Sequence, residues 1–211
     1  MALKRFLANQ ASQPSGWFGT LVAGRVFNKS NRNMEDMALS RMPVKTDSTV
    51  LEIGFGNGRF IGNLGAQLQA GKVSGVEISK TMIRQARKNN RQLIEKGVVE
   101  LLDGSIGQLP FDDDQFDMVA TFNTLYFWPE PEKNIREVMR VLKPGGGFYC
   151  GIRPEDQMKK VSVMEQNRDI YQHLFSPDYL RKFLSDAGFS DVSVDYQQDK
   201  PMDTILASAR K

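Results

Sequence analysis

Three glycines at every second position, Gly54, Gly56 and Gly58, follow directly on the apolar run Val50-Leu51-Glu52-Ile53. Glycine has no Cβ, so a loop of this kind can turn sharply and let a ligand touch the main chain. A helix opening at Arg59 would turn its first free N–H groups toward that loop, a setting that favours a carboxylate or a phosphate. Glu52 stands two residues ahead of the first glycine. Glu77 lies 19 residues beyond the third, at the close of the next apolar run, KVSGVEI. A carboxylate at that strand end can accept hydrogen bonds from both hydroxyls of a ribose, so loop and acid together describe a site for an adenosine-bearing cofactor. The dinucleotide fingerprint G-x-G-x-x-G is not matched, because Arg59 occupies the place of its third glycine. That departure weakens a nicotinamide reading without removing it.

Other chemistry-bearing residues are sparse. The single histidine, His173, sits in SVMEQNRDIYQHLF among apolar neighbours and reads as structural before it reads as a base. Asp112, Asp113 and Asp114 form an acidic loop run expected to be solvated. No His/Cys cluster has ligand spacing, so no metal is expected. The sequence assigns no catalytic residue.

The elements that must position the site follow from periodicity. TVLEIG (49–54) and KVSGVEI (72–78) read as strands flanking a helix over 59–70, whose apolar face is Phe60, Ile61, Leu64 and Leu68, with Gly71 as its stop. Ser79 caps a helix over 81–96 with Met82, Ile83, Ala86, Leu93 and Ile94 on its apolar side, ended by Gly97. VVELLD (98–103) and FDMVATF (116–122) are the third and fourth strands. A helix over 131–143 follows, Pro144-Gly145-Gly146-Gly147 breaks it, and FYCGI (148–152) is the fifth strand. After a helix over 176–188, FSDVSVDY (189–196) and DTILASAR (203–210) lie six residues apart. A parallel crossover needs a dozen or more residues, so these two pair antiparallel. The expected fold class is α/β, a Rossmann-like doubly wound mixed sheet of seven strands with the last antiparallel.

Length and composition agree with one domain. The 211 residues, 40% hydrophobic and 25% charged, suffice for one α/β core and an appended element. The net charge of +3 is uneven: residues 1–46 hold seven Lys/Arg against Glu35 and Asp36. That basic balance neither calls for a nucleic-acid partner nor excludes one. One cysteine, Cys150, cannot form an internal disulfide, and no run suits a membrane span or secretory signal, so a cytoplasmic protein is expected. Nothing in the sequence sets the oligomeric state.

Four blocks in order, VLEIGFGNGRF, VSGVEIS, DGSIGQLPFDDDQFDMV and VLKPGGGFY, resemble the class I S-adenosylmethionine-dependent methyltransferases, with closest likeness to the ubiquinone and menaquinone C-methyltransferase branch. The resemblance covers about residues 49–211 and implies S-adenosyl-L-methionine as cofactor. Carried over by position, Glu52, Gly54, Gly56 and Gly58 would surround the methionine moiety, Glu77 would hold the ribose, and Ile78 and Met82 would pack on the adenine. Ser105, beside Ile106, replaces the aspartate that usually meets the adenine amino group, and its neutral hydroxyl should bind less firmly. Asn123, the second residue of FNTLYFW, stands at the carboxyl end of the fourth strand, where ligands of open α/β sheets bind. Methylases of bases and of glutamine usually carry Asn/Asp-Pro-Pro-Tyr/Phe here; this chain does not, and a small-molecule or lipid acceptor is expected. Residues 1–46 are expected to form a helical lid over the methyltransferase domain of 47–211, with Phe18, Leu21, Val22 and Val26 near one face and Arg25, Lys29 and Arg32 largely off it. A nicotinamide oxidoreductase and a non-catalytic cofactor-binding regulator are the alternatives.

Overall fold

A computed structural model of the chain describes residues 28–159, 173–198 and 203–211. In chain order its elements are α1 (Asn28–Arg41), β1 (Thr49–Ile53), α2 (Arg59–Gly65), β2 (Lys72–Glu77), α3 (Lys80–Asn89), α4 (Arg91–Glu95), β3 (Val99–Asp103), β4 (Phe116–Phe122), α5 (Pro131–Val141), β5 (Leu142–Ile152), α6 (Glu155–Met158), α7 (Pro177–Asp186), β6 (Ser190–Gln197) and β7 (Thr204–Arg210). The seven strands form one sheet in the order β3-β2-β1-β4-β5-β7-β6. β1 to β5 run parallel, and β7 pairs antiparallel with both β5 and β6.

Side chains alternate across the sheet, so successive strand residues feed two separate cores. Val50, Val73, Met118, Ala120 and Tyr149 face a layer made by α1, α2 and α3, which contribute Met34, Ala38, Phe60, Ile61, Leu64, Ile83 and Ala86. Leu51, Ile53, Val119, Phe148, Cys150 and Ile152 face the opposite layer, filled from α5 and α7 by Ile135, Val138, Leu180, Phe183 and Leu184. The central strands are apolar on both faces, as a doubly covered parallel sheet requires. Ser79 caps α3 by accepting from the Met82 N–H, and Gly97 and Gly188 follow α4 and α7 with φ of 74° and 96°.

Several boundaries depart from the sequence reading for identifiable reasons. The helix expected over 81–96 divides at Asn90, whose buried Nδ2 donates to the carbonyls of Gly58 (2.9 Å) and Ala86 (3.0 Å). α2 ends at Gly65 rather than near 70, because the amides of Gln69, Ala70 and Gly71 all turn to the carbonyl of Thr46. Gly71 is therefore no helix stop: a Cβ there would lie 2.2 Å from the Ser48 carbonyl oxygen. Pro144-Gly145-Gly146 falls inside β5 as a bulge, the register against β4 jumping from Phe116↔Leu142 to Met118↔Gly147. The apolar N-terminal face of Phe18, Leu21, Val22 and Val26, and most of the 162–175 linker, lie outside the described residues.

Candidate active site

The glycine loop is held from three sides. Gly54, at φ 74°, donates its N–H to the Val76 carbonyl (2.8 Å), and a Cβ on it would fall 2.3 Å from Cγ2 of Thr124. Gly58, also at φ 74°, is backed by Asn90 and Ala86. Gly56, at φ 51°, has no atom within 4 Å of where its Cβ would stand, so this turn of the loop faces open space. Glu77 ties the loop to the end of β2: its Oε2 accepts from the Gly56 N–H (3.0 Å) and its Oε1 from the Ser79 N–H (2.8 Å). Burial pushes the Glu77 carboxyl above its ordinary value, against these backbone bonds and one from Ile78. The Gly104 N–H in turn donates to the Glu77 carbonyl (3.2 Å), which brings the loop after β3 alongside.

The residues singled out in the sequence thus gather at the carboxyl ends of four adjacent strands. β1 has β2 on one side and β4 on the other, so its end is the switch point where open α/β sheets form their crevice. Glu52 and the glycines close β1, Glu77 and Ile78 close β2, Ser105 follows β3, and Asn123 follows β4. Ile78 is 44% exposed, a large apolar side chain left open beside a buried acid. Ser105 is exposed, whereas Met82 and Ile106 are buried beside this rim, Ile106 within the core on the side of α5 and α7. Asn123 adopts φ 55°, donates through Nδ2 to Asn31 Oδ1 on α1 (2.8 Å) and accepts from the Tyr126 hydroxyl (3.2 Å).

An acidic cluster underlies the loop. Glu52 is 3% exposed, and its Oε2 has no hydrogen-bond partner among the described residues. Burial raises its carboxyl well above the usual range, reinforced by the charges of Glu35 and Glu77. Glu35, on α1, is pushed up to about 7 by burial, opposed by its ion pair with Arg59. Arg59, the residue that breaks the dinucleotide fingerprint, opens α2 and reaches back to α1, bonding Glu35 and also Asp36 (2.8 Å). Asn31 and Glu35 were not singled out from the sequence. Their four-residue spacing on one helix face was the available signal.

The donor set suits a cofactor with an adenosine and an amino-acid end. An orphaned carboxylate oxygen, a loop turn open at Gly56, a fixed acid and an exposed apolar side chain follow one another along the rim. Among the described residues no cluster of His, Cys, Asp and Glu could hold a metal ion. In the acidic run, Asp113 pairs with Arg140 and Asp114 with Lys211. His173 Nε2 is buried with no bond among the described residues, and Cys150 is buried with its thiol pushed up to about 12. No described helix is long and apolar enough to cross a membrane.

Comparison with known proteins gives the same direction. Residues 51–150 match the family described as methyltransferase domain. The chain is 25% identical over 191 residues to the uncharacterized methyltransferase YdaC of Bacillus subtilis, covering 90% of this chain and 98% of that protein. It is similar to a chain in the complex between the Haloferax volcanii Trm112 methyltransferase activator and a methyltransferase, with a TM-score of 0.76, 25% identity, and coverage of 90% of this chain and 96% of that one. The fold also matches a SAM-dependent methyltransferase from Aquifex aeolicus, with a TM-score of 0.68, 22% identity, and coverage of 83% and 88%. Glycine loop, strand-end acid, seven-stranded sheet and these likenesses converge: the chain belongs to the class I S-adenosylmethionine-dependent methyltransferases.

Proposed function

We propose that this methyltransferase acts on a small-molecule or lipid acceptor, in a site roofed by its N-terminal segment. The observation that carries this reading is the path of α1. Its apolar side, Met34 and Ala38, is buried against the sheet together with Met42 just beyond its end, while Asn31 and Glu35 reach over the carboxyl edge to Asn123 and Arg59. A helix bonded across the rim narrows the approach and favours an acceptor that can be enclosed over one that must dock. Residues 1–46 then act as the lid and 47–211 as the methyltransferase domain.

Within that site, Glu52 and the glycines at 54, 56 and 58 would hold the methionine portion of the cofactor. Glu77 would hold the ribose, and Ile78 with Met82 and Ile106 would form the adenine side. Ser105 would meet the adenine amino group, and Asn123 would border the reacting end. The cofactor supplies a methyl already activated on a sulfonium sulfur. The protein's task is to align an acceptor with that methyl and to exclude water. Incubating the protein with methyl-labelled cofactor and separated extract fractions tests the reading. Label should enter the small-molecule or lipid fraction; label confined to RNA or protein would refute it.

A further inference from the structure

The outward face of α3 carries a row of cations that the fold leaves without counter-charge. Lys80, Arg84, Arg87 and Lys88 are all exposed. At 3.6 residues per turn they fall within about 100° of arc, on the side away from the buried Met82, Ile83 and Ala86. The row is about 12 Å long, from the helical rise between Lys80 and Lys88. Residues 78–94 hold five Lys/Arg and no Asp/Glu, in a chain whose net charge is +3. Arg84 is steadied by the Thr81 hydroxyl (3.1 Å) and Arg87 by the Leu101 carbonyl (3.2 Å), both neutral partners. Among the described residues no carboxylate pairs with any of the four. On α4, α5 and α7, by contrast, an acid three or four residues away answers Arg91, Lys133 and Lys182. The helix dipole accounts for Arg87 and Lys88 in the last turn of α3, but Lys80 opens the first turn, where a cation is unfavourable. Lys80, Arg84 and Lys88 also repeat like charges at a spacing of four, which opposes the helix.

We propose that this row docks the protein reversibly on an anionic lipid bilayer, with Lys80, Arg84, Arg87 and Lys88 set against its phosphate headgroups. Charge complementarity selects a surface dense in negative charge, and four cations in one line on a single rod suit a plane. Nucleic acid offers phosphates too, but proteins that hold single strands interleave cations with aromatic side chains on which bases stack. No aromatic residue occurs between Ser79 and Pro110. The row begins two residues beyond Ile78, so its head lies at the cofactor rim, and a bilayer held along α3 would bring lipid close to that end of the site. The choice of lipid rests on the acceptor reading above, whereas the contact itself needs neither acceptor nor cofactor.

Co-sedimentation of the full chain with vesicles tests this. Phosphatidylcholine vesicles containing about one-third phosphatidylglycerol should retain the protein at low salt, and pure phosphatidylcholine should not. Binding should vanish at about 1 M salt, where the screening length is about 3 Å. Each cation near an anionic surface is worth about fivefold in binding, so the double variant Arg84→Gln with Lys88→Gln should bind about thirtyfold more weakly. Its thermal melt should be unchanged or higher, because like-charge repulsion is relieved. Lys133→Gln with Arg136→Gln removes the same charge from exposed positions of α5 and should bind as the wild type does. Equal losses in the two double variants would mean attraction by net charge alone and would overturn the docking row. Full retention by the α3 variant, or no binding of the wild type to anionic vesicles, would overturn it as well. Tighter binding of single-stranded RNA than of vesicles, lost in the α3 variant, would overturn the lipid assignment. The assay contains no cofactor or acceptor, so any of these failures is distinct from failure of the acceptor reading, which the methyl-labelling experiment decides.

Discussion

Replacing Glu77 with alanine is the sharpest perturbation of the site. In the folded protein its carboxylate serves three backbone N–H groups, those of Gly56, Ile78 and Ser79. A carboxylate offers roughly four lone-pair positions, so about one is left for a ribose hydroxyl. One charge-assisted hydrogen bond is worth about 1.5–3 kcal/mol, so cofactor affinity should fall by about ten- to a hundredfold. Loosening of the loop at Gly56 adds to that loss. The side chain is also structural. Leaving backbone donors without their acceptor costs about 1–3 kcal/mol, offset in part by relief of a buried charge and by water at the rim. A net loss near 2 kcal/mol would lower Tm by about 4–8 °C in a chain of this size. Calorimetry with S-adenosylhomocysteine, paired with a thermal melt, reads both effects. A folded Glu77→Ala protein that binds the ligand as tightly as the wild type would refute the assignment of the ribose to this acid.

Gly54→Ala should cost about 1–3 kcal/mol for φ 74° alone, plus the overlap with Thr124 Cγ2, and should abolish cofactor binding; an unchanged melt would mean that the loop can move away. Ser105→Asp should tighten cofactor binding by about 1 kcal/mol, the exposed position leaving room for the larger side chain, and markedly weaker binding by a folded variant would show that Ser105 does not meet the adenine. Glu35 holds its proton more firmly folded than unfolded, so its contribution to stability is full below its ordinary value of 4.5 and is lost as pH rises through about 7, a change of about 3 kcal/mol. Thermal melts at pH 5 and pH 8 (about 4 °C or more per unit in a steep case) should therefore diverge more in the wild type than in Glu35→Gln, and equal slopes would refute the argument. Removing residues 1–27 spares α1 and its buried methionines, so the protein should stay folded but transfer methyl poorly; full activity would count against the lid.

The strands were legible because alternation and glycine stops are local properties, and β1 to β4 fall within a residue or two of the expected runs. The rim was legible in outline for the same reason: glycines at alternate positions followed by an acid one βαβ unit later can be seen without a structure. What could not be seen joins distant residues. Arg59 reads as a missing glycine until α1 places two acids against it, 23 and 24 positions earlier. Asn123 finds Asn31 across 92 positions, and Asn90 divides a periodic helix only because the Gly58 carbonyl lies within reach of its amide. Met82 and Ile106 are both buried, and apolar residues beside a ligand site look the same in sequence whether they line it or pack beneath it.

The placement of β7 bears on how the chain is made. It lies between β5 and β6, bonded to both, although it follows both in sequence. As the chain leaves the ribosome, β6 emerges with no strand to pair with, and the edge of β5, with Phe148, Cys150 and Ile152, waits for β7. Folding of this half of the sheet must then be completed after synthesis has passed Arg210, through contacts that are distant in sequence and slow to form. A chain stalled before Thr204 would present the bare edge of β5 as a template for a neighbouring strand. For such a protein, the interval between translating β6 and β7 is the period of greatest risk of aggregation, and it is the stage at which a chaperone would have most to do.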